Sequence, residues 1–224
     1  MMAKELKNDI KFAISLDEDQ KEAKRLIINN EIVIITGPAG TGKSAVCAQA
    51  CLDLLFRGQL DKVSICRPTV EVGKTLGFLP GDLNDKYIEY TRALIDNMHE
   101  CYPHKEKLEK TIEQKIEFYP LQFIRGKTIR NRELVILEEA QNTSKAEMEA
   151  IMTRIGPGGK LIINGDLRQK DGKFEGLDFA IDISNHIEGV KYIQLTKNHR
   201  SGLVADILNY IYGIPEENMS RTGL

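Results

Sequence analysis

The run Gly37-Pro38-Ala39-Gly40-Thr41-Gly42-Lys43-Ser44 constrains this chain more than any other stretch, because it completes the pattern G-x-x-x-x-G-K-[ST]. Before it stands Ile32-Val33-Ile34-Ile35, a short β-branched strand, and after it Ala45 to Leu52, a good helix former. A glycine-rich turn between strand and helix curls so that successive N–H groups and the helix N-terminus point at phosphate oxygens. In that geometry Lys43 reaches the β- and γ-phosphates of a nucleotide and the Ser44 hydroxyl ligates Mg²⁺. The remaining residues must say whether the nucleotide is hydrolysed, transferred or only bound.

The 224 residues suit a single domain, with residues 1–30 as a helical lead-in, 69–116 as a loop and helical insertion, and 213–224 as a tail. The net charge of -2 gives no global pull toward nucleic acid, so any such binding needs a local basic patch. There is no apolar run of about eighteen residues and no basic-then-apolar leader, so no membrane contact and a cytoplasmic location are expected. Cys47, Cys51, Cys66 and Cys101 form no C-x-x-C pair and no metal spacing, which reads as reduced and buried. The histidines, His99, His104, His186 and His199, show no metal pairing and read as surface or satisfied residues.

Short continuous Val/Ile-rich runs recur at Ile32–Ile35, Val63–Cys66, Leu134–Leu137, Leu161–Ile163 and Val190–Leu195. Such runs belong to strands covered on both faces, the signature of a parallel sheet. Helices are expected at Ile14–Asn29, Ser44–Phe56, about Asp82–His99, Lys145–Arg154 and Gly176–His186. The capping-box pattern Ser144-Lys145-Ala146-Glu147 opens one of them. Alternating strands and helices give an α/β domain, a mainly parallel β-sheet with helices on both faces.

The strand Leu134–Leu137 runs into Glu138 and Glu139, at the sheet edge where ligands of parallel α/β domains bind. Glu138 is placed to hold Mg²⁺ or its water, and Glu139 to polarise the attacking water as general base. Beyond Leu161–Ile163 follow Asn164, Gly165, Asp166 and Gln169, and Gln169 can bond the γ-phosphate or the attacking water.

Several blocks together resemble the PhoH family of ATPases, related to the motor domain of RecD-like superfamily-one helicases. They are Gly37 to Ser44, Arg67-Pro68, Leu76-Gly77-Phe78-Leu79-Pro80-Gly81-Asp82-Leu83, Phe123 to Thr128, Glu138-Glu139-Ala140-Gln141-Asn142, Thr153-Arg154-Ile155-Gly156 and Gly165-Asp166-x-x-Gln169. The resemblance covers roughly residues 16 to 212, and the chain is similar to the short form carried by bacteriophages. It implies a RecA-like P-loop NTPase core, ATP with Mg²⁺ as cofactors, hydrolysis, and action on RNA or single-stranded DNA. In place of the family's Asp-Glu-Ala-Gln, the first acid here is Glu138, one methylene longer. The family's Arg-His before Leu-Val is reduced to Arg200-Ser201-Gly202-Leu203-Val204.

Charge developing on the transferred phosphoryl group is commonly met by an arginine, and Arg125, Arg154 and Arg200 are the candidates. Only 24 residues follow Arg200, which leaves no room in this sequence for a second motor domain. Either Arg200 acts in cis or a neighbouring copy supplies the finger, and a homo-oligomer, such as a ring, is expected. Lys74, Arg125, Lys127, Arg130 and Arg132, with Phe78 and Phe123, form a candidate nucleic-acid track. Gln20 stands ahead of the first strand where it can read the adenine edge. The alternatives are a nucleoside or nucleotide kinase and a slow, nucleotide-gated nucleic-acid-binding module.

Overall fold

Strand β1 (Ile32–Thr36) feeds the glycine-rich loop, and α2 (Lys43–Phe56) leaves it, as the flanking residues require. The computed structural model describes residues 10–68, 93–124 and 126–212. Ahead of β1 lies α1 (Glu18–Asn29), opened by a capping box between Asp17 and Gln20. After α2 come β2 (Lys62–Arg67), helix α3 (residues 93–101), α4 (Lys105–Lys115), β3 (Ile116–Pro120) and the single turn α5 (Leu121–Ile124). Then follow β4 (Glu133–Leu137), a 3-10 turn (Ala140–Asn142), α6 (Lys145–Met152) and β5 (Lys160–Gly165). The last elements are α7 (Gly176–His186), β6 (Val190–Gln194) and α8 (Leu203–Tyr212).

Among the described residues six strands join one parallel sheet in the order β3-β2-β4-β5-β1-β6. Successive side chains of a strand face opposite sides, and here both sides are apolar. Leu134 and Ile136 of β4 enter one core with Ile27, Val46 and Leu52. Val135 and Leu137 enter the other with Met148, Ile151 and Leu177. Continuous apolar strands thus follow from having helices on both faces.

The register aligns the C-terminal strand ends. Thr36 pairs with Gly165 and Gln194, Leu137 with Ile163 and Cys66, and Arg67 with Pro120. Segments that leave these ends therefore share one edge. Strand β5 separates β1 from β4, which sets the loop strand about 10 Å from the acidic strand.

The five strands expected from the sequence are present, and β3 is an addition. In Ile116-Glu117-Phe118-Tyr119-Pro120 the charged Glu117 and the terminal proline interrupt the apolar run, and the segment follows α4 without a break. An edge strand needs only one apolar face and tolerates a terminal proline, so it lacks the buried-run signal. Of the helix expected at 82–99, only residues 93–99 lie within the described part, and they are helical. The charged run Lys105–Lys115 is a helix held by the buried Leu108.

All four cysteines are free thiols and buried. Burial pushes Cys51 up to about 12 and Cys101 up to about 11. In an unfolded chain thiols ionise above about pH 8.5, while these stay protonated in the fold. Their contribution to stability is thus complete below that pH and is lost as the pH rises toward the folded values. A thiol reagent at pH 8 is expected to label almost none of the four in native protein and all of them in denaturant. Two or more fast-reacting thiols in the native chain would contradict this packing.

Candidate nucleotide site

The aligned strand ends surround a cavity of about 840 Å³, lined among others by Lys43, Ser44, Glu138, Glu139, Asp166 and Arg200. The loop after β1 forms one wall. Gly40 has a φ of +84°, and a Cβ there would lie 2.5 Å from Asn198 Oδ1 and 2.7 Å from Arg200 Cγ. Only glycine lets the segment after β6 pass so close. That segment is fastened twice: the His199 N–H donates to Gly40 O at 2.9 Å, and His199 Nε2 meets Asp17 Oδ2 at 2.9 Å.

Lys43 Nζ donates to Gly37 O at 2.7 Å and to Pro38 O at 3.1 Å. Its ammonium is pulled below the usual lysine value by burial, opposed by the charges of Asp166, Glu139 and Glu138. Glu138 extends from the end of β4, its N–H donating to Cys66 O at 2.8 Å. Burial pushes its carboxyl up, and the neighbouring Glu139 charge adds to that. The Asn164 amide, Arg67 and Lys43 pull the other way.

Asn164, at the end of β5, donates from Nδ2 to Glu138 Oε1 at 2.7 Å. Among the described residues its Oδ1 and the Oδ2 of Asp166 are buried acceptors without a donor. Asn164 is 3% exposed and Asp166 5%. Buried acceptors of this kind call for water or a hydrated cation. Three carboxylates, Glu138, Glu139 and Asp166, face one lysine in the cavity. The residues present therefore fit Mg²⁺ bound through few protein oxygens and substrate phosphates. Ser44, in the first turn of α2, and Glu138 would hold it, the ion supplying charge neutralisation of the phosphate oxygens.

Gln141 joins the two acidic strand ends. It is 1% exposed and uses its whole amide. Its Nε2 donates to Glu139 Oε2 at 2.6 Å and to Gln169 O at 3.2 Å, and its Oε1 accepts from Asp166 N at 3.0 Å. Gly165 allows this approach, because a Cβ there would lie 3.0 Å from Gln141 Oε1 and 2.8 Å from Leu177 Cδ2. On its other side Glu139 meets Arg67 Nη2 at 3.2 Å.

The residue pattern of PhoH-like proteins matches residues 14–212, nearly all of this architecture. The chain belongs to the PhoH-like family. It is 40% identical over 197 residues to a PhoH-like protein of Bacillus subtilis, covering 84% of this chain and 60% of that one. With Protein PhoH of Escherichia coli the identity is 30% over 195 residues, covering 82% and 53%. The chain thus spans about half to three-fifths of the curated relatives it matches. Among solved structures it resembles the large terminase of a thermophilic bacteriophage, with a TM-score of 0.56, 11% identity, and coverage of 92% of this chain and 52% of that one. The UvsW helicase of bacteriophage T4 gives a TM-score of 0.51 at 14% identity, covering 81% and 60%. These likenesses show the fold: a P-loop NTPase core of RecA-like α/β type.

In this PhoH-like chain the cavity gathers the loop residues Gly40, Gly42, Lys43 and Ser44 with Glu138, Glu139, Gln169 and Arg200. Arg154 stands apart from these. Its carbonyl accepts from Ile129 N, ahead of β4, which puts it at the opposite sheet edge, about a strand length of 17–20 Å away. It does not line the cavity of its own chain. Arg125 lies outside the described residues, as do Lys74 and Phe78.

The rest of the basic track is dispersed. Arg132 is paired with Asp61 at 2.6 Å ahead of β2 and β4, and Lys127 Nζ bonds Ser64 Oγ at 3.3 Å. Gln20 borders the cavity, but its amide serves the chain itself. It accepts from Asp17 N at 3.0 Å and donates to Thr41 O at 3.1 Å. An adenine edge would have to displace these bonds. Sequence reasoning gave no site role to Arg67, Gln141, Asn164 or His199. The amide-rich stretches Gln141-Asn142 and Asn164-Gly165-Asp166 carried the available signal.

Among the described residues no helix is long and apolar enough to cross a membrane.

Proposed function

We propose that this chain binds ATP with Mg²⁺ at the Gly37–Ser44 loop, hydrolyses it, and couples hydrolysis to RNA or single-stranded DNA. The observation that carries the reading is one cavity holding Lys43 and Ser44 from the loop together with Glu138, Glu139 and Asp166 from neighbouring strand ends. A phosphate cradle alone serves binding. Two acids from β4 add a place for the metal and a base for water.

In the proposed reaction Lys43 binds the β- and γ-phosphates, and Ser44 and Glu138 hold the cation. Glu139 takes the proton of the water that attacks the γ-phosphorus, as the bond to the β–γ bridging oxygen breaks and ADP leaves. Gln169 orients that water. Arg200, packed over Gly40 in the same chain, meets the developing charge in cis. Arg154 can act only across a contact between two copies. Gln20 donates from Nε2 to the adenine edge once it leaves Thr41 O.

Phosphate release, measured with ATP and Mg²⁺ across added RNA, single-stranded DNA and duplex, tests the reading, with light scattering in parallel. Release that needs Mg²⁺ and rises with a single strand is expected. No release under any of these conditions would overturn hydrolysis. A fully active monomer would remove any role for Arg154 and for the homo-oligomer.

A further inference from the structure

Both carboxylate oxygens of Glu139 are engaged by the chain. Oε2 accepts from Gln141 at 2.6 Å, and Oε1 faces Arg67 Nη2 at 3.2 Å. The backbone narrows its choices further, with φ 53° and ψ 40° in the left-handed region. A base for water needs a free lone pair within hydrogen-bond reach. Each oxygen keeps a second lone pair, but the two holds fix the carboxylate in place and keep it from turning toward a water.

The two holds differ. Gln141 is buried, and its amide is locked by Asp166 and Gln169. Arg67 and Glu139 form a half-exposed pair, with side chains 29% and 36% exposed. Pairs of this exposure are weak and yield to competing ions. Arg67 ends β2, and its register partner is Pro120, the last residue of β3. Helix α5 starts at the next residue and presents Phe123, 68% exposed. A cation and an open aromatic ring therefore stand on one edge, on the side of the acids away from the loop strand. Aromatic stacking of bases beside cations that track phosphates is how single strands are held.

We propose that Arg67 is a positioning residue that restrains Glu139 in the resting chain and surrenders it to a single-stranded nucleic acid. A backbone phosphate takes the guanidinium while a neighbouring base stacks on Phe123. Glu139 then swings its freed oxygen to the attacking water. This rests on the hydrolytic reading above and assigns it a coupling residue, and the step is an exchange of ion pairs with no covalent change.

The test is steady-state ATP hydrolysis by the full chain, with and without a single-stranded oligonucleotide of thymidines or uridines. Wild type is expected to speed up at least about tenfold on adding the strand, a fraction of what a general base supplies. In Arg67→Ala the rate without the strand rises toward the stimulated rate of wild type, KM for ATP stays within about threefold, and stimulation is lost. Arg67→Lys keeps a charge but not the planar fork, so its resting rate falls between the two. Phe123→Ala needs about tenfold more oligonucleotide for half-maximal stimulation, as loss of one stacked base predicts.

A lower kcat in Arg67→Ala at unchanged KM overturns the proposal, since Arg67 would then act in the chemistry itself. So does stimulation equal to that of wild type, or a wild-type rate that the strand does not change. If Arg67→Ala fails to bind ATP, Arg67→Lys decides: a raised resting rate supports the restraint and a lowered one refutes it. Wild type that hydrolyses no ATP under any condition defeats the hydrolytic reading instead.

Discussion

Glu139→Gln lowers ATP turnover by about a thousandfold and leaves ATP affinity within a few-fold of wild type, the range expected for loss of a general base. Glutamine has the same shape, so its amide oxygen still accepts from Gln141 Nε2, the bond now 2.6 Å long. What disappears is the proton acceptor and one negative charge. That charge is one of those that favour the Lys43 ammonium, and it also repels a polyanionic nucleotide. The opposed effects on binding nearly cancel, whereas nothing replaces the base. Single-turnover phosphate release and titration with a fluorescent ATP analogue separate the two quantities. Turnover within threefold of wild type would remove Glu139 from the chemistry.

The fold was legible where residues answer to two constraints at once. Val33, Ile34 and Ile35 sit in a central strand with helices on both sides, so every position had to be apolar and the run was conspicuous. Strand β3 answers to one constraint only. Its Glu117 reaches Lys62 and its other side chains are mostly half-buried, so composition carried little trace of it. Helix α8 was not read, although Leu203, Val204, Ile207, Tyr210 and Ile211 recur at helical spacing; these apolar side chains are exposed.

The site was legible to the extent that it is local. Gly37 to Ser44 are contiguous, and Glu138 follows its strand directly. Gln141 could be quoted as part of a motif, but its task depends on β5 lying beside β4, where Asp166 and Gln169 meet its amide. The pairing of Arg67 with Glu139 likewise requires β2 and β4 to be neighbours. The same non-local logic places Arg154, quoted within a motif block, at the far edge, because α6 runs back from the acidic strand ends. His199 read as a surface or satisfied residue, but only the return of the chain after β6 shows that its partner is Asp17.

Lys43→Ala weakens ATP binding by about 30- to 1000-fold, the cost of removing one partner from a partly buried charge pair. Two observations support so large an effect. The ammonium is held on Gly37 O and Pro38 O, at 2.7 and 3.1 Å, within the loop that would cradle the phosphates. It exchanges neutral acceptors for charged ones when a nucleotide arrives, so the bonds gained are stronger than those given up. It is also the cation on which Asp166, Glu139 and Glu138 all act. Alanine leaves three carboxylates facing an incoming polyanion. Lys43→Arg keeps the charge but brings a planar fork to a position that sends a single ammonium to two carbonyls, so it restores affinity only in part. Binding curves for the three proteins at equal Mg²⁺ check the order wild type, arginine, alanine. Alanine binding ATP within threefold of wild type would detach Lys43 from the nucleotide and leave the loop without its assigned role.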